Sequence, residues 1–183
     1  MPAEIPKAPP LFVDLDGTLV ATDTLWVGVG TLVRKRPWEL LILPFVVLRG
    51  RAAFKEYIAG RVTIDVSRLP YRENVLEFLR DEKSGGRTLV LATAAHREVA
   101  VAVARHVGIF DDIIASDGTR NQKGSAKLVT MLERAPGGVF DYIGDSTADL
   151  PILRAARVAH LVCPSPRLRN LVESSCALGK VFE

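Results

Sequence analysis

Leu11-Phe12-Val13-Asp14-Leu15-Asp16-Gly17-Thr18 is an apolar run of β character that breaks into two carboxylates at a glycine. A second stretch, Tyr142-Ile143-Gly144-Asp145-Ser146-Thr147-Ala148-Asp149, repeats the pattern far along the chain. A strand that ends in aspartates carries charge to the rim of a parallel sheet, which is where α/β proteins bind ligands. Two such rims side by side suit a hard cation, because magnesium takes oxygen ligands and keeps waters and substrate phosphates around it.

Between and beyond these stretches the chain alternates short β-rich runs with helical segments closed by glycine. Strands are expected at 11–15, 88–92, 112–115, 139–143 and 158–162. Helices are expected at 73–83, 95–107, 124–134, 148–156 and near 167–174. Glycines punctuate this rhythm: Gly85-Gly86, Gly108 and Gly137-Gly138 follow helices. The pattern predicts an α/β fold with a mostly parallel five-stranded sheet covered on both faces. Residues 22–62 interrupt it with a long apolar and basic stretch lacking strand character, read as an inserted helical cap broken at Pro37 and Pro44. The division expected is a lead at 1–10, a core of 11–20 plus 73–183, and a cap at 21–72.

At 183 residues, 48% apolar and 25% charged, the chain has the composition of one globular domain carrying an insertion. Its net charge of +3 is unevenly placed: residues 21–72 hold nine Lys/Arg against four Asp/Glu, or +5, leaving −2 elsewhere. Such a basic segment points to an anionic partner, a phosphate ester or a lipid surface. Basic residues are not interleaved with aromatics and no nucleic-acid motif occurs, so nucleic acid is excluded as the expected partner. Cys163 and Cys176 match no metal spacing and no disulfide framework. The proline-rich opening lacks the apolar region of a signal peptide, and the cytoplasm is the expected compartment.

Asp14-Leu15-Asp16-Gly17-Thr18, Thr93 after a strand, Lys123 ahead of a helix and the Gly144–Asp149 stretch resemble, in order, the four motifs of the haloacid dehalogenase-like (HAD) phosphohydrolase superfamily. The resemblance covers roughly 11–162 and implies a Rossmann-like HAD core with an α-helical (C1-type) cap like that of phosphoserine phosphatases. It implies Asp14 as nucleophile, forming an aspartyl-phosphate. Asp16 is then the acid for the leaving alcohol and the base for the hydrolytic water, as in the phosphatases of that superfamily. Asp14, the Asp16 carbonyl, Asp145 and Asp149 would hold Mg²⁺. Thr93, Lys123 and the amides of Gly17 and Ala94 would bind phosphate. Lys127, one turn after Lys123, is the rival lysine, and Thr93 has the competing role of a helix N-cap. His96 and Arg97 read as a solvated first helical turn, His106 and His160 as surface or core-edge residues, and 116–119 as a loop.

The insertion adds a separate signal. Its apolar run 40–48 is too short to span a bilayer, yet Arg34-Lys35-Arg36, Arg49 and Arg51 flank it, with Trp26 and Trp38 nearby. That pattern suits either an interfacial segment on anionic lipid or a compact cap with solvated arginines. Leu48–Ala53, Leu69–Tyr71, Leu91–Ala95, Ala115–Thr119 and Ala148–Pro151 further resemble the HAD domain fused ahead of UbiA-type polyprenyl transferases. That resemblance implies a lipid-linked phosphosugar beside small phosphometabolites as substrate, and possible peripheral membrane contact. It also implies the alternative of a partner subunit of a UbiA-type transferase with little turnover.

Overall fold

A computed structural model describes residues 8–117, 122 and 124–183. The elements, in chain order, are β1 (Leu11–Val13), α1 (Thr24–Lys35), α2 (Leu43–Leu48), α3 (Arg51–Ala59), α4 (Glu73–Ser84), β2 (Leu89–His96) and α5 (Arg97–Val107). They continue with β3 (Asp112–Ser116), α6 (Ser125–Arg134), β4 (Asp141–Gly144), α7 (Leu150–Ala155), β5 (Ala159–Val162), α8 (Pro166–Glu173) and β6 (Leu178–Phe182). The sheet has six strands in the order β3-β2-β1-β4-β5-β6, and each neighbouring pair is parallel.

The expected count of five strands is corrected to six. Leu178-Gly179-Lys180-Val181-Phe182 has no apolar run to announce a strand, because it lies at the sheet edge with Gly179 and Lys180 exposed. A lysine on an edge strand is a common guard against edge-to-edge pairing. The other strands fall where the sequence places them, with ends shifted by a few residues.

β1 sits centrally, and all three of its side chains are fully buried. Successive residues of a strand face opposite sides. Leu11 and Val13 accordingly join a cluster with Leu76, Leu79, Ala100 and Val103 of α4 and α5. Phe12 joins the opposite cluster with Met131, Ile152, Leu153 and Leu168 of α6, α7 and α8. Two helical layers therefore clamp the strand that delivers Asp14.

The insertion between β1 and β2 is helical, as expected, and buries its own cluster of Leu32, Leu43, Val46, Phe54 and Ile58. α1 ends just before Pro37, which opens a 3₁₀ turn over Pro37–Leu41. Pro44 does not break a helix; it occupies the first turn of α2, where a missing N–H costs nothing.

His160 on β5 is packed at the core's edge, its Nδ1 accepting from the Lys180 amide at 3.0 Å and its ring against Phe78. Burial, opposed by Asp141, lowers its pKa from 6.5 to about 4. The unfolded chain therefore binds a proton in this window that the fold rejects. Stability is present in full above pH 6.5 and falls as pH drops through about 4. The loss is expected to reach ~3 kcal/mol. Urea unfolding across this range should show it as the difference between wild type and His160→Gln, whose neutral amide has no proton to gain. Parallel curves for the two proteins would remove His160 as the cause.

Candidate active site

The register of the sheet sets the geometry. Val13 pairs with Leu91 of β2 and with Ile143 of β4. One step further on, Asp14 emerges between two strand ends, its amide still donating to the Ile143 carbonyl at 3.0 Å. Asp145 follows β4 on one side, and Thr93 lies in β2 on the other. The chain reverses its direction of growth between β1 and β4, the switch point where open α/β sheets bind ligands.

Oxygens of Asp14, Asp145 and Asp149 lie within 4.8 Å of one another. Lys127 of α6 reaches into the same place. Its Nζ stands 3.0 Å from Asp14 Oδ1 and 3.0 Å from Asp149 Oδ1, and it donates to the Tyr142 hydroxyl at 2.7 Å. Lys127 is nearly sealed from solvent, with 2% of its surface exposed. Burial disfavours its charge, but Asp14 and Asp149 outweigh that and raise its pKa above the usual lysine value.

The carboxylates answer the same field. Burial pushes Asp14 up; Lys127 opposes the rise, while Asp149 and Asp16 add to it. Burial and then Asp149 raise Asp145. Like charges thus gather at the rim with one buried ammonium among them, and the cluster still carries excess negative charge. Three clustered carboxylate oxygens are the donor set a hard divalent cation requires, so these residues fit Mg²⁺.

Gly17 shapes the turn that lets the two motifs meet. Its φ is +80°, and a Cβ there would lie 2.2 Å from Asp145 Oδ2. Only glycine allows that approach. The Gly17 N–H, expected to bind phosphate, donates here to the Thr22 carbonyl at 3.2 Å. Thr18 donates its hydroxyl to Asp145 Oδ1 at 3.2 Å, a partner that the motif alone did not suggest.

Asp16 does not join the carboxylate cluster. Its Oδ1 accepts the Thr24 amide at 2.7 Å, at the start of α1. Burial raises its pKa from 3.8 to about 6, with Thr24 pulling the other way. It lies at the wall of a cavity of about 390 Å³ between the insertion and the sheet, lined also by Trp26, Phe54, Ile58, Ala94 and His96.

Thr93 is buried within β2, and its Oγ1 accepts from the Ala95 amide at 2.9 Å. It does not cap α5; His96 holds that position. The Ala94 carbonyl accepts from Lys55 of α3 at 2.6 Å and from Ser116 at 2.9 Å, tying the insertion to the sheet. His96 is no merely solvated residue, since Nε2 lies 3.1 Å from Glu56 of α3. Lys123, like Gly118 and Thr119, lies outside the described residues. Among the described residues the lysine brought to Asp14 is Lys127. Tyr142, fully buried beside Lys127, is a part of the site that the motif alone does not reveal.

The model of the haloacid dehalogenase-like hydrolase family matches residues 11–154. The chain belongs to that family. It is similar to the protein y4nM of Sinorhizobium fredii, 40% identical over 153 residues, and the match spans 84% of this chain and 30% of that protein. A Bordetella pertussis protein of unknown function shares the fold, with a TM-score of 0.76 at 21% identity over 97% of this chain and 99% of that one. A substrate-bound phosphoserine phosphatase does so as well, with a TM-score of 0.63 at 15% identity over 97% and 93% of the two chains. Among the described residues no helix is long and apolar enough to cross a membrane.

Proposed function

We propose that this HAD hydrolase is a Mg²⁺-dependent phosphomonoesterase acting through an aspartyl-phosphate on Asp14. The observation that carries the reading is the division of labour between two aspartates on one strand end. Asp14 is drawn into the cluster with Lys127; Asp16 is turned away from it toward the cavity. Phosphoryl transfer needs an in-line nucleophile, charge opposite the equatorial oxygens and a proton for the leaving oxygen.

In the proposed sequence a carboxylate oxygen of Asp14 attacks phosphorus as the bond to the leaving oxygen breaks. Asp16 gives its proton to that oxygen, and the alcohol departs. Asp16, now ionised, takes a proton from water, whose oxygen attacks phosphorus and releases phosphate from Asp14. With Oδ1 accepting the Thr24 amide, Oδ2 of Asp16 is the oxygen that carries the proton. A pKa near 6 suits a group that must act as acid and then as base. Lys127 and the Thr93 hydroxyl face the transferring group, and Tyr142 and Asp149 hold Lys127 in place. Mg²⁺ held by Asp14 and Asp145, with Asp149 beside them, would neutralise phosphate charge. The fold shared with a phosphoserine phosphatase supports this class of chemistry. The complete set of acids with Lys127 favours turnover over a silent partner subunit.

Hydrolysis of 4-nitrophenyl phosphate with Mg²⁺ should fall at least ~100-fold when EDTA removes the ion and return on adding Mg²⁺ back. A rate indifferent to EDTA would remove the metal from the proposal.

A further inference from the structure

We infer that the helical insertion docks on an anionic lipid surface and admits from it a phosphomonoester with an apolar body; the substrate half of this inference rests on the phosphatase reading. The turn over Pro37–Leu41 and α2 hold large apolar side chains out into solvent: Leu48 is 84% exposed, Leu41 77%, Phe45 70% and Trp38 60%. Soluble chains scatter such residues singly, whereas a contiguous run marks an interaction surface.

Charge selects the occupant. From Thr24 to Gly50 the only carboxylate is Glu39. It is buried, hydrogen-bonded to Tyr57 and near Arg36 and Arg61. Arg34, Lys35, Arg36 and Arg49 are exposed on the same segment. Arg34, Lys35 and Arg49 have no carboxylate partner among the described residues. A second copy seated on this face would set these cations against their own kind, with no exposed acid from the segment to answer them. An anionic bilayer meets both demands, taking the apolar side chains at the headgroup boundary and the cations at its charged surface.

The cavity joins this face to the chemistry. Trp26 and Val47 are exposed there, at 65% and 54%, and both also line the cavity whose wall includes Asp16. Phe54, Ile58, Val62 and Ile64 continue the apolar lining. A ligand entering past Trp26 would have its hydrocarbon body wrapped by these side chains and its ester oxygen directed toward Asp16. Asp23, Thr24, Lys55 and His96 also line the cavity, so it offers polar groups for the head of a phosphate ester and an apolar wall that matches an alkyl or isoprenoid-like body.

Co-sedimentation tests the surface, with vesicles of phosphatidylcholine alone and of an equal mixture with phosphatidylglycerol, at low salt. The full chain should pellet with the mixed vesicles. Leu41→Ser/Phe45→Ser/Leu48→Ser, whose positions do not line the cavity, and Arg34→Glu/Lys35→Glu should each reduce pelleting about tenfold. Both variants should hydrolyse soluble 4-nitrophenyl phosphate at the wild-type rate, which also shows that they fold. Their hydrolysis of hexadecyl phosphate carried in mixed vesicles should fall about tenfold. Wild type that stays in the supernatant, or variants that pellet equally, would overturn the docking proposal. A dimer in gel filtration that the serine variant dissolves, without vesicle binding, would make the face a self-interface. Pelleting without hydrolysis of 4-nitrophenyl phosphate would sink the phosphatase reading and leave the surface standing.

Discussion

Asp14→Asn is expected to lower hydrolysis of 4-nitrophenyl phosphate by at least ~1,000-fold, the scale on which loss of a covalent nucleophile is felt. An amide keeps the shape of the carboxyl group, so the packing of β1 between its two helical layers is left alone. It does remove a charge. The Asp14 oxygen that accepts from Lys127 at 3.0 Å would become a neutral acceptor, and Lys127 would keep Asp149 as its ionic partner. Burial is the largest influence raising the Asp14 pKa; the amide relieves it, so the variant should unfold at or above the wild-type temperature. Lost turnover with undiminished stability separates a nucleophile from a structural acid. Acid-quenched wild type should also carry phosphate as an alkali-labile acyl phosphate, and the variant none. A rate within tenfold of wild type would remove Asp14 from the reaction.

How much of this was legible beforehand follows from what each signal depends on. The two acidic motifs were readable because an apolar run that stops in aspartate is a local pattern, visible without partners. Their adjacency was not local. It arises from the parallel pairing of Val13 with Ile143, which the alternation of strands and helices implies but does not order. Thr93 reads from sequence as the end of a strand; β2 runs on to His96, so Thr93 stands within it, and its hydroxyl oxygen accepts from the Ala95 amide rather than capping the helix. The lysine was harder. Lys123 and Lys127 stand one helical turn apart and would share a face of any helix through both. What distinguishes Lys127 is depth: Tyr142, Asp14 and Asp149 come from two strand ends and a turn that close around its ammonium. Tyr142 itself reads as an apolar strand residue until that contact is seen. β6 escaped because edge strands do not need an apolar face, and Gly179-Lys180 gives none. In the insertion, sequence alone left lipid surface and compact cap as rivals. The structure shows a buried cluster inside the insertion and a row of exposed apolar side chains outside it.

Lys127→Met is expected to cost both activity and stability, and Mg²⁺ is what separates the two losses. Methionine fills much of the lysine's volume, so the change is chiefly the loss of one buried charge. Asp14 and Asp149 would then face each other and Asp145 in a pocket with no ammonium between them. Breaking a buried ion pair by removing one partner costs ~3–5 kcal/mol, and here one lysine answers two carboxylates. The acids can limit the loss by taking protons, since burial already raises Asp14 and Asp145. A divalent cation offers a second remedy, because it would sit among those same oxygens. The melting temperature of the variant should therefore lie well below wild type in EDTA, and millimolar Mg²⁺ should narrow the gap. Turnover should not recover in step. A cation held by Asp14 and Asp145 would not replace the ammonium that Tyr142 and Ala92 fix at its own place. Electrostatic groups of this kind contribute ~100- to 1,000-fold to rate. At saturating Mg²⁺ the variant should thus be folded by circular dichroism yet slow by about that factor. Full activity in a folded Lys127→Met protein would mean that the ammonium serves only to neutralise buried acids.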